Sequence, residues 1–345
     1  MNKAGQKCLL IFSVIFYIAA AALMVLGSIN DLQISINLFN PQFSAVHFIE
    51  QFGQFVYWGM WGPAFAILFI CRRNLNECLE VIGKIFPFVK PMENVNSKIY
   101  KFFSTALNVV TAAGFFVLSV VGWKKLVENV VKNILRNLGR DNVSQLFYFI
   151  ICTVIAVIAI LIFKEIDKAK LRKLEGLALA GILLGIFYKI VEECKEITGR
   201  VRFREMIAYS NGFFNEDGLT DGQHAVLNRQ MIGSTDFSHF TPWYKMGDDM
   251  GGIYNHSNSF PSGHTTYSCT VFMSYLFCRA FESLKKLAPV AILFSAAYVI
   301  FVGYTRILAG AHYLTDVVGA AIIGYTLFLI VYKIYNNFVD RQIIG

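Results

Sequence analysis

Residues 261–316 read PSGHTTYSCTVFMSYLFCRAFESLKKLAPVAILFSAAYVIFVGYTRILAGAHYLTD. Two apolar runs, about 262–281 and 287–305, flank a short polar turn that holds Glu282, Lys285 and Lys286. Each run is about 20 residues long, which is what an α-helix needs to cross a bilayer. A helix going in and a helix coming back return the chain to the face it left. His264 and His312 therefore emerge together, along with Ser262, Gly263, Arg306 and Asp316.

Similar runs at about 8–29, 54–71, 103–122, 146–163, 175–193 and 316–334 bring the expected spans to eight, of which 54–71 and 175–193 are the weakest. The composition agrees. The 345 residues are 56% hydrophobic and 16% charged, with 32 Phe and 16 Tyr, against about one quarter charged in soluble domains. Apolar and polar residues do not alternate over ten-residue stretches, as a membrane β-barrel requires. The expected fold is all-α, a polytopic integral membrane helical bundle of about eight transmembrane helices. It is read as a single membrane domain over 1–345, with one long extramembrane loop at 196–260.

The first run follows Lys3 and Lys7 and contains Ala19 to Ala22, like a secretory signal. Its apolar length exceeds a usual signal core, so an uncleaved first span is expected. The seven cysteines form no CxxC pair and read as apolar packing. Lys3, Lys7, Arg279, Lys285, Lys286, Lys333 and Arg341 fall on one side of the expected topology. The positive-inside rule then places both termini in the cytoplasm and the two histidines outside, in a plasma membrane. One basic stretch breaks the rule. Residues 123–140, WKKLVENVVKNILRNLGR, place Leu126, Val130, Ile134 and Leu138 on one helical face, which fits an amphipathic helix in the outer headgroup layer or a solvated connection.

At Ser259-Phe260-Pro261-Ser262-Gly263-His264 a polar loop gives way to an apolar helix. Free backbone N–H groups at such a start, beside a glycine that admits close approach, suit an anion; the plain alternative is a helix cap. Arg306 precedes His312 by six residues and Asp316 follows it by four. On a helix the carboxylate lies one turn from the imidazole and can fix its tautomer. A buried Arg306–Asp316 ion pair is the alternative, although charges at span ends are costly and usually functional. Lys195, Arg200, Arg202 and Arg204 cluster after the fifth span. Lys195, Arg202 and Arg306 converging on one dianion would neutralise a phosphoryl group, whereas snorkelling anchors are the simpler reading of such a cluster.

Lys195-x6-Arg202, then Pro261-Ser262-Gly263-His264, then Thr305-Arg306-x5-His312-x3-Asp316 resembles the type 2 phosphatidic acid phosphatase superfamily, which includes vanadium haloperoxidases and bacterial lipid phosphatases. The resemblance is specific over about 195–316 and implies a catalytic core over 175–334, with 103–163 as an extra helix pair. It implies a metal-independent phosphatase without a cofactor. His312 would attack phosphorus, Asp316 would orient it and His264 would protonate the leaving oxygen. Lys195, Arg202, Ser262, the Gly263 amide and Arg306 would hold the phosphate. Two departures stand out: Phe203 follows Arg202 where the family usually has Pro, and Thr305 stands where Ser is usual.

The expected partners are a lipid phosphate substrate and the bilayer. A phosphotransferase using the same intermediate, or a non-catalytic transporter or lipid-binding protein, are the rival functions. No GxxxxGK[ST] or GxGxxG occurs, so neither nucleotide nor nucleic acid is indicated. His224, Asp236, His239, Asp248, Asp249 and His256 in the long loop lack HxxxH or HExxH spacing, and no metal is expected. Phe240, Trp243 and Tyr244 suit either a lipid contact or a loop anchor.

Overall fold

The computed structural model describes residues 3–85, 88–91, 95, 97–137, 144–193, 195, 198–212, 227–245 and 258–340. Among them every regular element is helical. The α-helices are α1 Lys3–Leu38, α2 Ser44–Phe52, α3 Phe55–Cys71, α4 Leu75–Ile85, α5 Lys98–Asn137, α6 Gln145–Lys164, α7 Lys168–Glu193 and α8 Phe203–Ser210. They continue as α9 Gly263–Ser268, α10 Met273–Ala280, α11 Ala288–Leu308 and α12 Leu314–Asp340. Seven helices among the described residues are long and apolar enough to cross a membrane, and the chain is a multi-pass membrane protein.

The expected sixth span, 262–281, is broken. It consists of α9, a tighter 3₁₀ turn at Cys269–Phe272, and α10. Its sequence explains the break: Thr266 Oγ1 donates to Ser262 O (3.1 Å), Ser268 Oγ to Thr265 O (2.7 Å) and Cys269 Sγ to Thr265 O (3.4 Å). Hydroxyls that bond back to the preceding turn compete with the helical ladder and bend it. The basic stretch after 122 also differs from the interfacial reading. Residues 123–137 simply continue α5, a 40-residue helix. At 1.5 Å per residue it is about 60 Å long, twice the hydrocarbon core. No proline intervenes, so the helix runs on past the membrane thickness. Residues 138–143 lie outside the described residues.

The chain divides into two compact units, Met1–Gln54 with Gly185–Phe328, and Phe55–Leu184 with Leu329–Gly345. The second contains the expected extra pair 103–163. Within it α3 and α5 meet at Gly62 and Gly122, where a Cβ on Gly122 would overlap the Gly62 nitrogen and one on Gly62 would strike the Trp123 ring. Small residues let membrane helices pack backbone to backbone. Ser119 Oγ, buried beside them, donates to Gly62 O at 2.9 Å. At one end of this unit the buried Glu175 carboxylate accepts from Arg73 (3.1 Å) and Arg172 (2.9 Å).

The first unit holds every residue of the candidate site. Its membrane part packs α1 against α12 through Phe12, Phe16, Tyr17 and Tyr325, with Phe272 and Phe328 behind. Hydrogen bonds pin the pair: Ser13 Oγ to Tyr325 OH and Tyr17 OH to Thr326 Oγ1, both 2.7 Å. α1 runs nine residues past its expected end at 29, and that extension carries Asp31. A second core forms from Phe39, Val201, Phe203, Met206, Ile207, Leu227 and Tyr313, with Phe237 and Phe240 against it. The described parts of 196–260 are thus folded onto the helix ends. Trp243 stacks on Phe260 and donates to Ser28 Oγ (2.8 Å), and Phe240 packs edge-on to Tyr313. Of the three loop aromatics weighed for lipid contact, Tyr244 alone is well exposed.

Candidate active site

Arg202 is the N-cap residue of α8, and Phe203 is its first helical residue. That is the position at which proline is tolerated best, so the family's Arg-Pro and this Arg-Phe ask the same of the backbone. What proline does by restricting φ, Phe203 does by packing. Its ring is fully buried between Phe39 (5.4 Å, edge-on) and Phe237 (5.5 Å, stacked). The next residue ties α8 to the α11–α12 connection, since Arg204 N donates to Gly310 O at 2.8 Å. Gly310 has φ +64°, and a Cβ there would also strike the Phe39 ring. This turn brings Arg306 and His312 together: the amides of Ala311 and His312 both donate to Arg306 O.

The second cluster opens α9. Ser262 caps the helix, its Oγ accepting from Thr265 Oγ1 at 3.0 Å, and its own N–H donates to Asp316 O at 3.1 Å. Gly263 meets Lys195 so closely that a Cβ would overlap its Nζ. The ammonium therefore reaches the first turn of α9 because residue 263 has no side chain.

His312 is 3% exposed. Its Nδ1 lies 2.6 Å from Ser259 O and 3.9 Å from Asp316 Oδ2. A carbonyl oxygen only accepts, so Nδ1 carries the proton and Nε2 presents its lone pair. Asp316 acts at one remove: its Oδ2 accepts from Ser259 Oγ and from Tyr313 N (2.8 Å), while Ser259 N donates to Arg200 O (2.9 Å). The carboxylate thus fixes the residue that fixes the imidazole. Burial first, then the charges of Arg202, Arg306 and Lys195, hold His312 well below its ordinary value. The ring is neutral at physiological pH, as a nitrogen nucleophile must be.

The three cations expected around one anion, Lys195, Arg202 and Arg306, all act electrostatically on this imidazole, as does His264. The Nε–H of Arg202 is buried without a hydrogen-bond acceptor among the described residues. Burial, with repulsion from Arg202 and Arg306 only partly opposed by Glu192 and Asp316, pulls Lys195 down to about 8. His264 is held by α2 and the residue that follows it closely. Gln54 Nε2 donates to Nδ1 and Nε2 donates to Glu50 O, both at 3.3 Å.

Arg200, the fourth basic residue of the cluster, has a different place. It is 1% exposed and forks between two carboxylates, Asp31 (2.9 Å) and Asp316 (2.5 Å), while also donating to Thr315 Oγ1 and Thr241 O. The Tyr313 ring covers its guanidinium at 4.0 Å. Three residues escaped the sequence reading: Asp31, Glu50 and Ser259. Asp31 and Glu50 are the only acidic residues in the first 76 positions, a signal that was present in the sequence. Asp31 accepts from Thr315 N at 3.1 Å and also from the Thr315 hydroxyl. Glu50 Oε1 accepts from Arg204 (2.9 Å) and Arg306 (3.4 Å). His224, Asp248, Asp249 and His256 lie outside the described residues, and Asp236 accepts from Ser238 N and Oγ within its own turn.

The chain is 30% identical over 81 residues to phosphatidylglycerophosphatase B of Bacillus subtilis (strain 168). That match covers 23% of this chain and 40% of the length of the relative. No solved structure matches the chain significantly. Residues 218–340 match the PAP2 superfamily, a span that includes both histidines, Arg306 and Asp316. Those matched residues gather at one site, so residues 218–340 are similar to the PAP2 superfamily in the part of the chain that holds the candidate site.

Proposed function

We propose that this protein is a metal-independent lipid phosphate or diphosphate phosphatase working through a phosphohistidine at the outer face of the membrane. The observation that carries the reading is the buried, neutral His312 with its Nε2 unprotonated among Lys195, Arg202 and Arg306. Nε2 attacks phosphorus, the bond from phosphorus to the lipid oxygen breaks, and His264 gives that oxygen a proton. His264 then takes a proton from water, whose oxygen displaces His312 from phosphorus and releases phosphate. The three cations meet the charge developing on the equatorial oxygens.

A lipid substrate is favoured by what lies beside the site. A cavity of about 360 Å³ opens among α1, α9, α11 and α12, its walls apolar and including Phe16, Ala20, Ile307, Leu314 and Val317. Ile307 and Leu314 are chain neighbours of the phosphate-site motifs, and the volume lies in the range of ligand pockets. An acyl or prenyl chain fits those walls. The test is phosphate release by the purified chain, with excess chelator, from phosphatidic acid, phosphatidylglycerol phosphate, a polyprenyl diphosphate and a lipid A-type phosphate. Release from at least one of them is expected, falling at least tenfold when its chains are shortened to four carbons. No release from any, or label passing to an organic-phase acceptor with little free phosphate, would overturn the hydrolase reading.

The pH profile follows from Lys195. Because its ammonium is charged below about 8 and neutral above, the site loses one of three cations as pH rises through that value. At the acid end a phosphomonoester loses its second charge near pH 6. A bell-shaped kcat/KM is expected, its alkaline limb near 8. Lys195→Arg, which stays charged, moves that limb up by at least one unit. A flat profile across pH 5–8, or a limb that Lys195→Arg leaves in place, would contradict the assignment.

A further inference from the structure

Each cation of the proposed phosphate cradle keeps a carboxylate beside it. For Lys195 it is Glu192, three residues back and held by the Tyr267 hydroxyl. For Arg202 it is Glu205, three residues on, at 3.5 Å. Both are local to their own stretch of chain. For Arg306 it is Glu50, delivered from α2 across more than 250 residues. α2 is fixed in place by more than this contact: Glu50 O and Gln54 hold His264, and the Tyr298 hydroxyl donates to Gly53 O at 3.2 Å.

The two contacts of Glu50 are unequal. Oε1 lies 2.9 Å from Arg204 Nη1 and 3.4 Å from Arg306 Nη2. Arg204 is buried and acts electrostatically on neither His312 nor Lys195 among the leading influences there, whereas Arg306 acts on both. The short bond therefore anchors the carboxylate to a cation behind the cradle, and the long one reaches a cation inside it. A phosphoryl oxygen arriving at Arg306 competes with the long contact and leaves the short one intact. A dianion binds there against a fixed negative charge, and the product, orthophosphate, feels it most because it carries no chain to hold it.

We infer that Glu50 is the affinity-setting residue of the site: an internal counter-anion, tethered by Arg204, that phosphate displaces from Arg306 and that speeds the departure of orthophosphate. The inference rests on the phosphatase reading. It differs from a merely structural role in sign, because loosening the arginines would weaken anion binding, whereas removing a competing charge strengthens it.

The test measures orthophosphate binding by calorimetry on the purified full-length chain, with its inhibition constant against lipid substrate alongside. Glu50→Gln is expected to tighten both at least tenfold, since a unit charge a few ångströms from a dianion is worth about 1 kcal/mol per anion charge even under water-like screening. Glu50→Asp, which keeps the charge, is expected to stay within about threefold of wild type. Should Glu50→Gln misfold around an unpaired Arg204, the same gain is expected between Arg204→Gln and the Glu50→Gln/Arg204→Gln double variant. Unchanged or weaker binding in either comparison would overturn the proposal while leaving the phosphatase reading intact. A wild-type chain that neither binds orthophosphate nor turns over lipid would sink that reading, and the proposal with it.

Discussion

His312→Gln is expected to lower turnover at least 10⁴-fold and to leave no phosphorylated protein, while orthophosphate binding stays within about threefold. Removing a covalent nucleophile costs orders of magnitude because the remaining groups still bind and polarise the substrate but have nothing to pass the phosphoryl group to. Binding survives because Lys195, Arg202 and Arg306 carry it, and the substitution leaves all three in place. Glutamine is a demanding replacement: its amide N–H can still donate to Ser259 O, so the loss reports the missing imidazole rather than a disturbed loop. The companion experiment uses a lipid labelled at phosphorus. His264→Ala is expected to accumulate acid-labile, base-stable label on the protein, since the hydrolysis step has lost its base while His312 can still attack a substrate with a good leaving group. Label on His312→Gln, or turnover within tenfold of wild type, would remove His312 from the mechanism.

The sequence exposed the fold's outline and the site's motif residues because both are written locally. Apolar runs of about 20 residues need no partner to be recognised, and the motif residues sit at fixed offsets from span ends. The Thr/Ser-rich start of 262–281 was read as one span because hydropathy counts its hydroxyls as mildly polar and is blind to their bonds back into the preceding turn. The stretch 123–140 was read as a separate element because its charges change the composition, yet composition cannot tell a new helix from the end of an old one. Ser259, Asp31 and Glu50 were hidden for another reason. Their contacts span 53, 284 and 256 residues respectively, and sequence offsets say nothing about such pairs. Arg200 was grouped with its neighbours by spacing, although its carboxylate partners separate it from them. Of four basic residues within ten positions, two have their side-chain partners chiefly in the protein: Arg200 in Asp31 and Asp316, and Arg204 in Glu50.

Arg200 accounts for the second large effect. It lies between Asp31 on α1 and Asp316 on α12, with all three side chains at most 4% exposed. One guanidinium fork satisfies two carboxylates that would otherwise face each other in a poorly solvated space. Its removal leaves two buried anions and one cation fewer, and breaking buried pairs of this kind costs about 3–5 kcal/mol. Arg200→Met is therefore expected to lower the unfolding temperature in detergent by about 10 °C, taking about 2–4 °C per kcal/mol for a chain of this size. Arg200→Lys recovers little of it, because a single ammonium cannot reproduce the two-sided fork. The loss should reverse in part when the charge left behind is removed: Arg200→Met/Asp31→Asn is expected to be more stable than Arg200→Met alone by at least 1 kcal/mol, although Asp31→Asn by itself destabilises. Such a sign change marks direct coupling between the pair. Activity should fall with Arg200→Lys even at temperatures where the variant is folded. Asp316 then loses the partner of its Oδ1, the Ser259 hydroxyl bonded to its Oδ2 is held less firmly, and the carbonyl that keeps the proton on His312 Nδ1 is free to move. Unfolding within 2 °C of wild type for Arg200→Met, or additive effects in the double variant, would show that Asp31, Arg200 and Asp316 do not act as one unit.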